Sequence, residues 1–126
     1  MRYLLDTTLL IDHARGRPGA LALVRELLSE PNDLLVCDAV VAEAMSGGDD
    51  VAIGAISALV DALECVSTHP DAARWAGASR RRLSRSSPRQ LGDAIIAGVA
   101  WFNDAIVVTR NPRDFEIQGV RVRGYD

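Results

Sequence analysis

Four carboxylates in this chain stand where an isolated charge is awkward. Asp6 interrupts the apolar stretch "RYLLDTTLLI", Glu43 lies in "VVAEAM", Asp93 is set among Leu91, Ala94, Ile95 and Ile96, and Asp114 comes shortly after the apolar run "AIVVT". An ionised carboxylate in apolar surroundings is costly unless something offsets its charge. Each one has an ordinary explanation by itself: Asp6 as the cap of a helix, Glu43 as an exposed helix residue, Asp93 as a first-turn charge favouring the helix dipole, Asp114 as part of a turn. Taken together they fit those explanations less well, because four carboxylates gathered at one edge would repel one another without a divalent cation. An oxygen-only donor set, with no cysteine or histidine at zinc-ligand spacing, suits magnesium or manganese.

Whether they gather depends on the elements that carry them. "RYLL" predicts a buried strand and "TTLLIDHA" a helix after it; Ala20, Leu23, Val24 and Leu27 mark one face of a second helix. "DLLVC" is a second strand, and "DAVVAEAM" a short helix capped by Asp38 and stopped at "SGGDD". Ile56, Leu59, Val60 and Leu63 repeat the helical spacing, "LECVS" predicts a further strand, and Pro70 opens a helix carrying Ala72, Trp75, Ala76 and Leu83. After the loop "SRSSPRQ", Ser87, Pro88 and Gln90 form a capping-box start for the helix "LGDAIIAGVAWF". "AIVVT" and "VRVRG" are the last two strands, joined by "RNPRDFEIQG". Strands apolar throughout and alternating with helices predict a parallel sheet covered on both faces, and ligands of such sheets bind beyond the strands' carboxyl ends. Asp6, Glu43 and Asp114 all follow strands closely enough to share that edge.

A length of 126 residues, 48% hydrophobic, predicts one domain over 1–126 with one real core. Neither a membrane span nor a secretory leader is legible, which places the chain in the cytoplasm. Cys37 and Cys65 sit in short apolar runs and read as buried free thiols. The formal charge of −3 argues against a protein that coats nucleic acid. Its cations are all arginines, however, and six of the fourteen (Arg74, Arg80, Arg81, Arg82, Arg85 and Arg89) fall within sixteen residues. Such a cluster is either a phosphate-binding surface or a solvated helix face.

The segments "LLDTTLLID", "VVAEAM", "QLGDAIIAGVAW" and "VVTRNPRDF" strongly resemble the PIN-domain ribonucleases, especially the VapC-type toxins of bacterial toxin–antitoxin pairs. The resemblance runs from the first strand to the terminal "GVRV". It implies a PIN-like three-layer α/β/α fold with a central, mostly parallel sheet. It also implies an acidic quartet of Asp6, Glu43, Asp93 and Asp114 that binds Mg²⁺ or Mn²⁺, with Thr8 and Asn111 as polar neighbours. Thr109, Asn111, Asp114 and Phe115 match the family's closing pattern in full. Thr8 stands where serine or asparagine is frequent, and Asp38 where serine is common. The implied activity is hydrolysis of RNA phosphodiesters, in single-stranded or loop RNA, to 5′-phosphate and 3′-hydroxyl ends. Arg85, Arg89, Arg110 and Arg113 are the candidate substrate contacts, and His13 and His69 lie outside every matching motif. The implied partners are a VapB-type antitoxin, whose tail covers an apolar groove, and a second copy of the chain in a homodimer.

Two other classes compete. A receiver or phosphatase-like domain phosphorylated at Asp6 also has an aspartate after a strand, but this chain has no lysine and carries Thr8 where a second aspartate would stand. A non-catalytic PIN-like module that binds RNA or protein would retain the fold without a converging acidic site.

Overall fold

The structure, a computed structural model, describes residues 1–83 and 91–126. Five strands form one sheet: β1 (Arg2–Leu5), β2 (Asp33–Cys37), β3 (Glu64–Val66), β4 (Ile106–Thr109) and β5 (Val122–Gly124). Their order is β3-β2-β1-β4-β5, and every neighbouring pair is parallel. The register aligns Leu4 with Leu35 on one side and with Val107 on the other. Consecutive strand residues point to opposite faces, yet Leu4 and Leu5, Leu35 and Val36, and Val107 and Val108 are all fully buried. Both faces are therefore covered, which gives the three-layer α/β/α arrangement expected from the apolar strands.

The helices among the described residues are α1 (Thr7–Ala14), α2 (Pro18–Ser29), α3 (Asp38–Ala44), α4 (Asp50–Asp61), α5 (Pro70–Leu83), α6 (Leu91–Phe102) and α7 (Pro112–Glu116). The face of α2 predicted from spacing, Ala20, Leu23, Val24 and Leu27, is the face that is buried. In α6, the run from Ile96 to Ala100 is buried throughout, and Gly98 lies so close to the Ala72 carbonyl of α5 that a Cβ there would collide with it. Small residues on both helices permit that approach. None of these helices is long and apolar enough to cross a membrane.

Several local expectations change. The connection "RNPRDFEIQG" contains α7, opened by Pro112 at its first position. Five residues are too few to show a helical period. Leu63 lies beyond the end of α4, where Ala62 is the C-cap. The N-cap of α3 is Cys37, so Asp38 is the first helical residue; its carboxylate accepts the Ala39 amide at 2.9 Å and the Thr68 hydroxyl at 2.6 Å, tying α3 to the segment before α5. Both cysteines are free, but only Cys37 is buried, and burial pushes its thiol up to about 11. Cys65 is exposed because β3 is a three-residue edge strand with little cover. The capping box at Ser87, Pro88 and Gln90 lies outside the described residues.

Candidate active site

The chain adds β2 and β3 on one side of β1, then crosses to add β4 and β5 on the other. The carboxyl ends of β1 and β4 therefore bound the crevice at which such sheets bind ligands. Asp6 is the residue immediately after β1, and its amide continues the ladder by donating to the Val108 carbonyl at 3.0 Å. It occupies the N-cap position of α1 with an extended backbone, but its side chain makes no capping hydrogen bond. The carboxylate, with only 4% of the residue exposed, turns instead toward two hydroxyls. Thr109 Oγ1 donates to Asp6 Oδ2 at 2.8 Å and Thr8 Oγ1 donates to the same oxygen at 3.1 Å.

The direction of these bonds is fixed. Thr109 Oγ1 accepts the Asn111 amide at 3.0 Å and Thr8 Oγ1 accepts the Arg110 amide at 3.2 Å. Each hydroxyl has one proton to give, and the carboxylate is an acceptor in reach of both. Burial raises the Asp6 pKa above its ordinary value; the Thr109 hydroxyl, the neighbouring Thr7 amide and the Thr8 hydroxyl and amide oppose the rise only in part. The site thus holds a carboxylate whose charge is incompletely compensated by the protein.

Glu43 comes from the last turn of α3 and lies in the field of Asp6. Loss of hydration raises its pKa, repulsion by Asp6 adds to the rise, and the Thr7 hydroxyl, 3.5 Å from Oε1, opposes it. Its carboxylate rests against Gly92 in the first turn of α6, where a Cβ would stand 2.7 Å from Oε1. Asp93 is the next residue, half-buried in that same turn. Asp114 lies in the first turn of α7, also half-buried, and is joined to Asp6 by a short relay: its amide donates to the Asn111 carbonyl, the Asn111 amide donates to Thr109, and Thr109 donates to Asp6.

The fold therefore couples Asp6 with Glu43, sets Asp93 beside the glycine that receives Glu43, and connects Asp114 through the end of β4. Among the described residues no three Asp, Glu, His or Cys side chains stand close enough together to hold a metal ion. The chemistry of the donors still fits a hard divalent cation: oxygens only, a buried aspartate destabilised in its charged form, and a glutamate cradled where any side chain larger than glycine would intrude.

Of the candidate substrate contacts, Arg85 and Arg89 lie outside the described residues. Arg110 is exposed at the end of β4 but forms an ion pair with Asp12, Nε to Oδ2, at 3.2 Å. Arg113 is exposed on α7. His69 stacks on Phe102 with ring centroids 4.2 Å apart, and His13 lines a cavity with the α2 residues Leu21, Val24, Arg25, Leu28 and Ser29; burial lowers its pKa. Three contributors were not singled out by sequence: Thr7, Thr109 as the principal donor to Asp6, and Asp12. A detectable signal existed for Asp12, which falls beside Leu9 and Leu10 on the buried side of α1 and is as awkward there as Asp93 is in α6.

A parallel sheet of this order, with a buried carboxylate after its central strand at the β1/β4 crevice, is a three-layer α/β fold with an acidic residue where such sheets bind ligands. The chain belongs to the PIN domain family, whose pattern it matches over residues 3–119. It is 34% identical over 114 residues to ribonuclease VapC19 of Mycobacterium tuberculosis, a match covering 89% of this chain and 90% of that one. Its fold is shared with VapBC2 from Rickettsia felis, solved bound to a DNA fragment from the promoter, at a TM-score of 0.84 and 21% identity over 100% of both chains. VapBC-1 from nontypeable Haemophilus influenzae aligns at a TM-score of 0.79 and 22% identity over 98% of each chain.

Proposed function

We propose that this chain, as a single PIN domain over 1–126, is a cytoplasmic, metal-dependent ribonuclease toxin that hydrolyses RNA to 5′-phosphate and 3′-hydroxyl ends and is silenced by a VapB-type antitoxin. The observation that carries the reading is Asp6: a buried carboxylate at the topological switch point, held by two threonine hydroxyls and facing Glu43. Family membership and the identity to a VapC ribonuclease support the same activity.

Asp6, Glu43, Asp93 and Asp114 would hold Mg²⁺ or Mn²⁺. When bound, such an ion supplies Lewis acidity, making water a nucleophile near neutral pH and neutralising phosphate charge. The chain's own groups do the rest. Thr8 and Thr109 lock the Asp6 carboxylate in one rotamer, so that it reaches the site without reorganisation. Asn111 fixes Thr109 through its amide and sets the turn that presents Asp114. Arg110 and Arg113 at the same edge, together with Arg85 and Arg89, supply the positive charge that a phosphate chain needs beside four carboxylates. Single-stranded or loop RNA suits the site, because its backbone bends into a concave edge that a regular duplex cannot enter.

A cavity of about 280 Å³ beside the site supports an antitoxin tail as partner: Ile11, Ala14, Ala44, Ala52 and Ile56 give it apolar walls, and Glu43 and Arg15 give it rim charges of both signs. A basic side chain on that tail would find the carboxylates attractive. The homodimer that the resemblance implies is part of the same proposal.

The experiment is incubation of 5′-labelled and unlabelled RNA with the purified chain in Mn²⁺ and in chelator, followed by end-group analysis. Cleavage in Mn²⁺ alone with 5′-phosphate ends supports the proposal. Cyclic phosphate ends, or full activity in chelator, would assign the cleavage to a histidine mechanism, and no cleavage at all would make the chain a binding module.

A further inference from the structure

A second buried carboxylate lies on the buried side of α1 beyond Asp6, and the cleavage chemistry leaves it unused. Asp12 is 5% exposed. Its Oδ2 accepts the Tyr125 hydroxyl at 2.6 Å and pairs with Arg110 Nε at 3.2 Å. Burial raises the pKa of the Tyr125 hydroxyl and the hydrogen bond to Asp12 raises it further, opposed in part by Thr8 and Arg110; the hydroxyl is the donor in its bond to Asp12.

Arg110 is thereby fixed at both ends. Its amide donates to Thr8 Oγ1, whose proton goes to Asp6, and its side chain is tethered to Asp12. The tether engages Nε; among the described residues the two terminal nitrogens have no hydrogen bond, and 40% of the side chain is exposed. The contact is an ion pair without an aligned hydrogen bond, and a guanidinium held on its Nε side leaves its terminal nitrogens as a planar fork, the shape that matches two oxygens of a phosphate. The ion pair also biases the arginine's rotamers before any ligand arrives, which lowers part of the ordering cost of binding.

We propose that Asp12 and Tyr125 are positioning residues that hold Arg110 at the edge of the acidic site as a contact for a phosphate of single-stranded RNA. The choice of RNA as ligand rests on the function proposed above. The competing role is purely structural: Asp12 would tie the carboxyl-terminal segment and the end of β4 to α1 and do nothing for the ligand.

Tyr125→Phe separates the two, because it deletes one hydroxyl and keeps the ring. The measurements are kcat and KM on a short single-stranded RNA in Mn²⁺, and fluorescence anisotropy of the same RNA in Ca²⁺ over a salt series, for the parent, Tyr125→Phe, Arg110→Ala and the double variant. Arg110→Ala is expected to weaken binding about tenfold and to lower the log–log salt slope by about 0.7, the loss of one phosphate contact on a single strand. Tyr125→Phe is expected to raise KM and the dissociation constant about threefold, with kcat within about twofold of the parent, as for a lost positioning bond. The double variant should match Arg110→Ala alone, since a positioning residue has nothing left to position. A Tyr125→Phe protein that melts lower but keeps the parental KM, affinity and salt slope would overturn the proposal, as would additive losses in the double variant or a parent that does not bind the RNA. The expected pattern of binding in a chain that leaves the RNA uncut would uphold the positioning role and remove the nuclease reading.

Discussion

Asp6 shows how a residue with an ordinary local explanation acquires a different one from its neighbours in space. It does sit at a helix N-cap, as its sequence position predicts, but Thr8 and Thr109 take its carboxylate, and Thr109 is 103 residues away. No pattern in one sequence shows that pairing, whereas the awkwardness of the charge is visible at once. Thr109→Val removes a buried donor and strands the Asn111 amide. It should cost about 1–3 kcal/mol of stability and about tenfold or more in kcat, as expected when a positioned carboxylate loses its partner; melting curves and single-turnover cleavage check both. The raised pKa values of Asp6 and Glu43 also carry a sign. A carboxyl whose folded pKa lies above its unfolded one destabilises the fold when charged; the penalty is fully present above the raised pKa and vanishes as pH falls below the ordinary carboxylate range. Asp38 runs the other way: burial works against it, but bonds from Thr68 and Ala39 lower its pKa, and its contribution is lost on acidification. The difference between Asp6→Asn and the parent isolates the first effect. In chelator, denaturant titrations across pH should find the variant more stable at neutral pH and the two alike at strongly acid pH. A difference that grows as pH falls would reverse the assignment.

At the scale of elements, most of what positions the site was legible. The stretches "RYLL" and "DLLVC" are the observed β1 and β2 residue for residue, and the helix expected to open at Pro88 runs through the described α6 to Phe102, because a buried strand or helix leaves a long apolar signature. The element that was missed is α7, too brief for a period; β3 lies within the predicted "LECVS", but its edge position leaves Cys65 exposed rather than buried. Two glycines of α6 were also silent in the sequence. Gly92 gives its space to the Glu43 carboxylate and Gly98 gives its own to α5. Alanine at each separates site from fold. Gly92→Ala should gain up to about 1 kcal/mol from helix propensity, since the flexible end of Glu43 moves aside, while cleavage falls at least about tenfold from the misplaced carboxylate. Gly98→Ala meets backbone that cannot move aside and should cost about 1–3 kcal/mol, with cleavage per folded molecule unchanged at temperatures well below its melt. Chemical denaturation alongside activity assays tests the pair, and equal behaviour of the two variants would contradict the distinction.

For the molecule as a whole, the parallel α/β architecture was readable from apolar strands separated by helices, but the strand order was not. Nothing along the chain states that β4 returns beside β1, and that return brings Thr109 to Asp6 and places the crevice between them. The family resemblance supplied the acidic quartet where spacing alone left it open. If that quartet is the metal site, its repulsion is a cost that the fold carries until a cation arrives, and ligand binding then stabilises the native state by mass action. The most direct measurement is Asp6→Asn followed in two readouts, RNA cleavage and thermal melting with and without Mn²⁺. Asparagine still accepts both threonine hydroxyls, so the predicted result is a chelator-treated variant at least as stable as the parent, with cleavage abolished and the Mn²⁺-induced rise in melting temperature largely lost. A variant that cuts RNA at the parental rate and still gains stability from Mn²⁺ would contradict the assignment of Asp6 and of the site built around it.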